Sequence, residues 1–402
     1  MARQGKNGWR SGHQLDLLEG GERLFPAMAD AIDRARTLVH VETYICTFSG
    51  AAAQVAEAMV RAARRGVEVR LLVDGVGTGA LPAPWAERLS AAGVQHRVFA
   101  PLGRLGLLIP SRWRRLHRKL CVVDSHTGFC GGINLIDDRD DLALGPLAVP
   151  RLDYAVRVHG PLVQDMQQQM DRLWWRLVAV GMAKQRAFRG AWYALRVAGP
   201  GGVAAHPGGE RRSRAALLWR DNVRHRHDIE RAYLRAIGTA RHDIVIANAY
   251  FIPGRRLRRA LALAVQRGVR VRLLLQGRYE SFFQYHAARP VYGWLLQAGV
   301  DIHEYAPSAL HAKVAVVDKR WATVGSTNLD PLSLLLAREA NVVSNDPVFA
   351  QHLWARLDHL LRTAGQPVDV ANNLSRPWRQ RALDRLAFAT MRVVLFLTGH
   401  RY

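Results

Sequence analysis

The chain has 402 residues, 49% of them hydrophobic, which is enough for two or three globular domains and excludes a disordered basic tail protein. Lys and Arg number 57 against 33 Asp and Glu, so the net charge of +24 predicts attraction to a polyanion, either nucleic acid or an anionic membrane. The three cysteines have no paired or metal-type spacing, which indicates a reducing compartment and excludes a disulfide or zinc framework.

The two ends of the chain give no sign of export or of a membrane span. The N-terminal residues are polar and lack the apolar segment of a secretory signal. The longest apolar stretch, 386–398, has only 13 residues and contains Arg392. We therefore expect a soluble or peripheral protein.

One pattern of elements occurs twice along the chain. Short β-branched runs alternate with Ala- and Leu-rich helical segments in the order β-α-β-α-β-β, first from Leu38 and again from Asp243. Each copy predicts an α/β domain in which a mostly parallel, mixed sheet is flanked by helices. We predict an N-terminal domain at 1–196, a Gly- and Pro-rich linker at 197–214, and a C-terminal domain at 215–402 that ends in an amphipathic tail.

Each copy ends with the same spaced set of polar residues, spanning 117–134 and 311–328. The set comprises His117, Lys119, Asp124 and Asn134 in the first copy and His311, Lys313, Asp318, Ser326 and Asn328 in the second. The residues between Lys and Asp are strand formers, so each His and Lys, two residues apart, project from one face of a strand. One strand in each domain therefore presents an imidazole and an ammonium group together.

These residue types suit chemistry on a phosphodiester. The barrier to attack comes largely from charge that accumulates on the phosphoryl oxygens, and fixed lysines and amide donors offset it. Histidine, with a reference pKa of about 6.5, can attack phosphorus as imidazole or donate a proton as imidazolium. Asp124 and Asp318 lie seven residues beyond their histidines, so we expect them to fix strand and loop geometry although they belong to the catalytic motif.

The duplicated pattern resembles the phospholipase D superfamily, whose signature is two such motifs that meet in one active site at a domain interface. Three further segments, 217–234, 244–254 and 321–334, are similar to the bacterial cardiolipin synthase B family. Ala337 stands where that family usually has Asn, which affects the substrate contacts of its loop. The resemblance implies two phospholipase D-type domains related by pseudo-twofold symmetry.

The resemblance also implies a reaction. Two phosphatidylglycerol molecules would give cardiolipin and glycerol through a phosphohistidine, with His117 as nucleophile and His311 as acid and base, or the reverse. Each histidine needs an orienting carboxylate, and we predict Glu339 for His311 and Asp153 for His117. Neither a metal nor a cofactor is expected. The alternatives are a phospholipase D hydrolase, another headgroup-exchange enzyme, a nuclease with the same motifs, and a scaffold that binds lipid or another polyanion without catalysis.

Three stretches combine aromatic or aliphatic residues with arginine in a way that suits an anionic membrane interface, or alternatively an ordinary core helix. They are 101–115, 173–196 and 376–392. On the membrane interpretation, Trp174, Trp175 and Trp192 lie at headgroup level. Phosphatidylglycerol and the cytoplasmic face of a bacterial inner membrane are then the expected partners, without nucleic acid. The sequence does not identify a protein partner.

Overall fold

The computed structural model describes residues 8–103, 113–142, 145–185, 187–197, 214–221, 225–278, 282–330, 337–369 and 377–397. The chain forms two compact units: Met1–Asp137 with Ala155–Leu217, and Asp138–Tyr154 with Leu218–Tyr402. The predicted boundaries place Asp138–Tyr154 in the first domain, whereas its contacts belong to the second unit. Most of the predicted linker, 198–213, lies outside the described residues.

In chain order, the elements up to residue 197 are β1 (Arg10–Ser11), β2 (Gln14–Glu19), α1 (Gly20–Asp33), β3 (Leu38–Thr43), a 3-10 turn (Gly50–Ala52), α2 (Ala53–Arg64), β4 (Glu68–Asp74), α3 (Ala83–Ala91), β5 (Gln95–Phe99), β6 (Arg115–Leu116), β7 (Lys119–Val123), β8 (Thr127–Gly131), β9 (Asp140–Asp141), β10 (Gly145–Pro146), β11 (Tyr154–His159), α4 (Leu162–Lys184) and α5 (Phe188–Val197).

The sheet of the first unit has the strand order β2-β11-β8-β7-β3-β4-β5. β3, β4 and β5 are parallel, while β7, β8 and β11 run antiparallel to their neighbours. The side chains of adjacent residues of β4 lie on opposite faces of the sheet. Leu71 packs with the helices α1 and α2, and Leu72 packs with α4 and α5. Burial on both faces explains why the parallel strands appear in the sequence as continuous apolar runs.

The elements after residue 213 are β12 (Arg214–Arg220), α6 (Asp228–Thr239), β13 (Asp243–Asn248), α7 (Arg255–Gln266), β14 (Arg270–Gln276), α8 (Phe282–Gln297), β15 (Asp301–Tyr305), β16 (Lys313–Val317), β17 (Trp321–Gly325), β18 (Ala337–Ser344), α9 (Pro347–Thr363), β19 (Gly365–Pro367) and α10 (Trp378–Leu397).

The second unit repeats the arrangement of the first, with the strand order β18-β17-β16-β13-β14-β15-β19. The parallel strands are again three consecutive ones, β13, β14 and β15. The predicted order β-α-β-α-β-β and the α/β fold are therefore confirmed in both copies. The C-terminal helix α10 packs against α8, with Ala387 and Met391 in the core and the His286 Nδ1 2.6 Å from the Asp384 carboxylate.

The predicted interfacial stretches differ in their exposure. Trp174 is 1% exposed and packs with Leu72 and Phe99, so the prediction that it lies at headgroup level is wrong. Trp192 on α5 is 62% exposed and Trp378 on α10 is 69% exposed. Within the described ranges, every helix is too short or too polar to cross a bilayer. Residues 104–112 of the first stretch lie outside the described part of the chain.

Candidate active site

The first motif lies where β7 begins, beside the carboxyl end of the parallel strand β3. Lys119 is 6% exposed, and its Nζ donates a hydrogen bond to the His117 carbonyl at 2.7 Å. The Tyr44 ring contacts the His117 ring edge-on, with 5.0 Å between centroids, and lies 5.4 Å from the Lys119 Nζ. Burial, helped by Asp74, raises the pKa of the Tyr44 phenol, so it stays a neutral donor at physiological pH.

Asn134 follows β8 and is held by the backbone after β3. Its Oδ1 accepts a hydrogen bond from the Ile45 amide at 3.1 Å, and its side chain is almost fully buried. A parallel bridge between Cys46 and Leu135 fixes the same two segments. Because the oxygen is engaged by the backbone, the amide nitrogen is the part of Asn134 suited to contact an anion.

A buried ion pair supports the first motif from the other face of the strand. Arg118 donates through Nη2 to the Glu42 carboxylate at 2.8 Å and through Nε to the second oxygen, and both residues are at most 4% exposed. The bidentate geometry compensates for the removal of both charges from water. The second copy carries Ala312 after its motif histidine and therefore has no such pair at that position. Sequence analysis missed this pair, since only the repeated residues drew attention.

The second motif has the same local geometry at the start of β16. The Lys313 side chain is fully buried, and its Nζ donates to the His311 carbonyl, as in the first motif. The following loop is fixed by a buried network. Ser326 donates to the Glu339 carboxylate and accepts from the Ala340 amide at 3.1 Å.

Asp153 is the carboxylate that orients His311. The His311 Nδ1 lies 2.6 Å from the Asp153 Oδ2, while the other carboxylate oxygen accepts from the Tyr154 amide at 2.8 Å. The Asp153 side chain is 1% exposed and the His311 side chain 19% exposed. A buried carboxylate on Nδ1 fixes the tautomer that carries its proton there, so Nε2 is the nitrogen that reacts.

Asp153 reaches His311 because the segment Asp138–Tyr154 is built into the second unit. Leu152 forms a parallel bridge with Leu310: the Leu152 amide donates to Ala309 at 2.9 Å, and the His311 amide donates to Leu152 at 2.8 Å. The Ser308 hydroxyl donates to the Val149 carbonyl at 2.6 Å. The backbone of the segment is thus bonded directly to the residue that it orients.

This geometry corrects the predicted pairing of carboxylates with histidines. Asp153, which was assigned to His117, lies on His311, and Glu339, which was assigned to His311, contacts Ser326. The two carboxylates occupy equivalent positions, since Gly131 pairs with Ala155 and Gly325 pairs with Asn341, each two residues after the carboxylate. The observed contact therefore reassigns Asp153 from His117 to His311, because the segment that carries Asp153 joins the second unit.

Asp124 and Asp318 lie at the far ends of the motif strands and bind backbone. Asp124 accepts from the amides of residues 36, 37 and 38 at 2.7–2.9 Å and from the Thr37 hydroxyl. Asp318 accepts from the amides of residues 241, 242 and 243 at 2.8–2.9 Å. Burial alone would raise the pKa of each carboxyl, but the hydrogen bonds outweigh it and lower both pKa values. Their role is to join the motif strand to the neighbouring parallel strand.

The protein has two α/β units, and in each unit a histidine and a buried lysine lie at the start of the equivalent strand, β7 or β16. This arrangement defines a two-domain protein of the phospholipase D-like class. The family described as "Cardiolipin synthase, PLD-like domain" matches residues 28–174 and 233–361. The chain belongs to this family, whose members modify phospholipids.

Individual relatives agree with the family. The chain is 38% identical over 395 residues to the cardiolipin synthase B of Escherichia coli, covering 98% of this chain and 91% of that protein. It is 30% identical over 357 residues to the cardiolipin synthase of Oceanobacillus iheyensis, covering 88% and 69%. The phosphatidylserine synthase of Haemophilus influenzae shares the fold, with a TM-score of 0.68 at 12% identity over 97% of this chain and 96% of that one.

Proposed function

We propose that the protein transfers a phosphatidyl group between two phosphatidylglycerol molecules, giving cardiolipin and glycerol. Membership of the cardiolipin synthase family makes phospholipids the substrate class. The observation that carries the proposal is the contact between the His311 Nδ1 and the buried Asp153 carboxylate at 2.6 Å. It prepares His311 for proton transfer, and we propose the other motif histidine, His117, for nucleophilic attack.

In the first half-reaction, the His117 Nε2 attacks the phosphorus of the donor lipid. The bond from phosphorus to the glycerol oxygen breaks, and the His311 imidazolium gives its proton to that oxygen, so glycerol leaves. The phosphatidyl group is then covalently attached to His117. Lys119 and Lys313 offset the negative charge that builds up on the phosphoryl oxygens in this step.

In the second half-reaction, His311 acts as the base. Its Nε2 takes the proton from a free hydroxyl of the second phosphatidylglycerol, and that oxygen attacks the phosphorus and displaces His117. One phosphodiester has replaced another, so no nucleotide is needed to drive the exchange. We propose Asn134 and Asn328 as neutral donors to the phosphoryl oxygens, and Ser326 with Glu339 as the support of the second motif loop.

We also propose that the protein works peripherally on the cytoplasmic face of a bacterial inner membrane. The net charge of +24 favours a surface of anionic lipid. Trp192 and Trp378 are exposed, and each lies near an arginine: Arg196 is 5.2 Å and Arg379 is 5.6 Å from the respective ring centroid. Exposed Trp with adjacent Arg is typical of side chains that lie at the headgroup level of a bilayer.

The proposal is tested with purified protein and phosphatidylglycerol vesicles. We expect cardiolipin and glycerol in equal amounts, and a loss of activity of about 10³-fold or more in each of H117A and H311A. The exposed His352 provides the control, and H352A should match the wild type. Phosphatidic acid as the main product would identify a hydrolase instead, and full activity of either motif variant would refute the mechanism.

The nucleophile is identified by trapping. After a rapid alkaline quench, which preserves phosphohistidine, we expect the phosphatidyl mass on the peptide that contains His117. The mass on the His311 peptide would reverse the two roles. The DNA-cleaving alternative is tested in parallel by incubating the same protein with a DNA duplex, which we expect to remain intact.

A further inference from the structure

A small cleft of about 40 Å³ opens in the second unit at the carboxyl ends of the parallel strands β13 and β14. Residues 249–252 after β13 and Arg278 after β14 form one side, and the α8 residues Tyr285, Arg289 and Tyr292 form the other. The carboxyl end of parallel strands is where α/β proteins commonly bind ligands.

The cleft begins directly beside the second motif. Ala249, which lines the cleft, donates its amide hydrogen to the carbonyl of Ala312 at 2.9 Å. Ala312 is the residue after His311, and the preceding strand pair joins Asn248 to Lys313. The cleft therefore lies next to the strand end that carries His311.

The cleft carries positive charge on a rigid support. The Arg289 side chain is only 11% exposed, and its guanidinium carbon lies 4.3 Å from the Tyr285 ring centroid and 5.3 Å from that of Tyr292. Its Nη1 forms a 2.8 Å ion pair with Glu304, whose side chain is not part of the lining. Arg278 donates through Nη2 to the Pro307 carbonyl at 2.9 Å.

Guanidinium groups have more donors than these contacts use. Each guanidinium presents five N–H groups in a fixed plane that fits the oxygens of a phosphate. Two arginines against one carboxylate leave the cleft with a net positive charge. The apolar side chains of Phe251 and Ile252 suit the carbon atoms next to such a group. The expected ligand is therefore an organic phosphate.

We propose that this cleft binds the phosphodiester group of the acceptor phospholipid, an inference that rests on the proposed function. In phosphatidylglycerol, three glycerol carbons separate this phosphodiester from the hydroxyl that attacks. With the phosphate on Arg278 and Arg289, the glycerol extends along the lining towards His311. The donor lipid needs no such contact, because its phosphorus is the reacting atom.

The cleft thereby determines the choice of acceptor. Water and small alcohols reach the histidines but have no phosphate for the two arginines to bind. Phosphatidylglycerol gains these contacts in the transition state of the second half-reaction, and its advantage equals the difference in binding free energy. Cardiolipin formation should therefore depend on the arginines, whereas transfer to a small alcohol should not.

The test is a competition between acceptors in one vesicle assay. Phosphatidylglycerol vesicles are incubated with a fixed concentration of ethanol, and the ratio of cardiolipin to phosphatidylethanol is measured. Loss of one charged hydrogen-bond donor should lower this ratio roughly 10-fold or more in R289Q and in R278Q. The summed rate of transfer to ethanol and water should stay within about threefold of the wild type.

Two further variants separate binding from folding. R259Q removes a charge from the exposed face of α7 and should leave the ratio unchanged. E304Q removes the carboxylate that competes for Arg289, so the ratio of cardiolipin to phosphatidylethanol should rise. A fall in this ratio like that of R289Q would mean that the ion pair is only structural, and it would overturn the inference. Ratios within twofold of the wild type in both R278Q and R289Q would also overturn the inference, while the proposed function would stand. A wild-type protein that forms neither product would instead refute the proposed function.

Discussion

Replacement of Asp153 by Asn tests the most specific feature of the site. The substitution keeps the shape of the side chain and removes its charge, so the His311 ring keeps a polar neighbour but loses the partner of its imidazolium form. Asp153 acts through His311 and is a positioning residue. We therefore expect kcat for cardiolipin formation to fall, while KM for phosphatidylglycerol stays close to the wild-type value.

The size of the effect follows from the contact. A hydrogen bond to a charged group is worth about 1.5–3 kcal/mol, and every 1.4 kcal/mol corresponds to a factor of ten. The 2.6 Å contact is buried, with Asp153 1% exposed, so solvent screens it little. We expect kcat to fall roughly 10- to 100-fold.

The assay compares initial rates of cardiolipin formation for the wild type, D153N and D141N, with thermal melting of each protein. Asp141 lies in the same 138–154 segment and pairs with Arg151 of that segment at 3.0 Å, so D141N reports on the internal structure of the segment rather than on the ring. D141N should retain at least a third of the wild-type rate. An unchanged kcat in D153N, or an effect confined to KM, would show that the contact does not serve catalysis.

Other substitutions give independent expectations. The hydrogen bonds of Asp318 lower its pKa, so its contribution to the free energy of unfolding is present above the unfolded-state pKa of about 3.9 and is lost as the pH falls through the folded-state pKa. In urea unfolding, D318N should be less stable than the wild type at pH 7, and its stability should decline less between pH 5 and pH 3. R118A leaves the buried Glu42 charge unpaired and should lower the free energy of unfolding by about 3–5 kcal/mol. The double variant E42A/R118A should recover most of this loss. If the double variant does not recover it, the ion pair itself stabilises the unit. W378A should weaken binding to anionic vesicles in a flotation assay, and the equally exposed V348S should not; equal binding of both variants would remove Trp378 from the membrane surface.

The repeated architecture could be predicted from sequence because its signal is local and occurs twice. The parallel strands are buried on both faces and leave runs such as the one at 270–276, and the helices between them carry alanine and leucine at helical spacing. The His-x-Lys motifs were visible for the same reason. Glu339 was chosen because its placement is similar to that of the supporting glutamate in the family that the sequence resembles.

The partner of each carboxylate could not be predicted in this way. A comparison of repeats treats each half as a separate unit, and no local pattern in the 138–154 segment states which core it packs against. The hydrogen bonds that hold the segment in the second unit, such as those between Leu152 and the residues around Leu310, join positions about 160 apart in sequence. The Glu42 and Arg118 pair was missed for the opposite reason, because it has no equivalent in the second copy. Trp174 was misassigned because an Arg- and Trp-rich helix has the same composition whether its indoles face lipid or the core.

The placement of the 138–154 segment means that the gene cannot be divided at its point of duplication without loss. A polypeptide that begins after the linker would still contain His311 and Lys313, but the carboxylate that prepares the imidazole would be encoded on the other piece. Supplying the two pieces together should restore turnover.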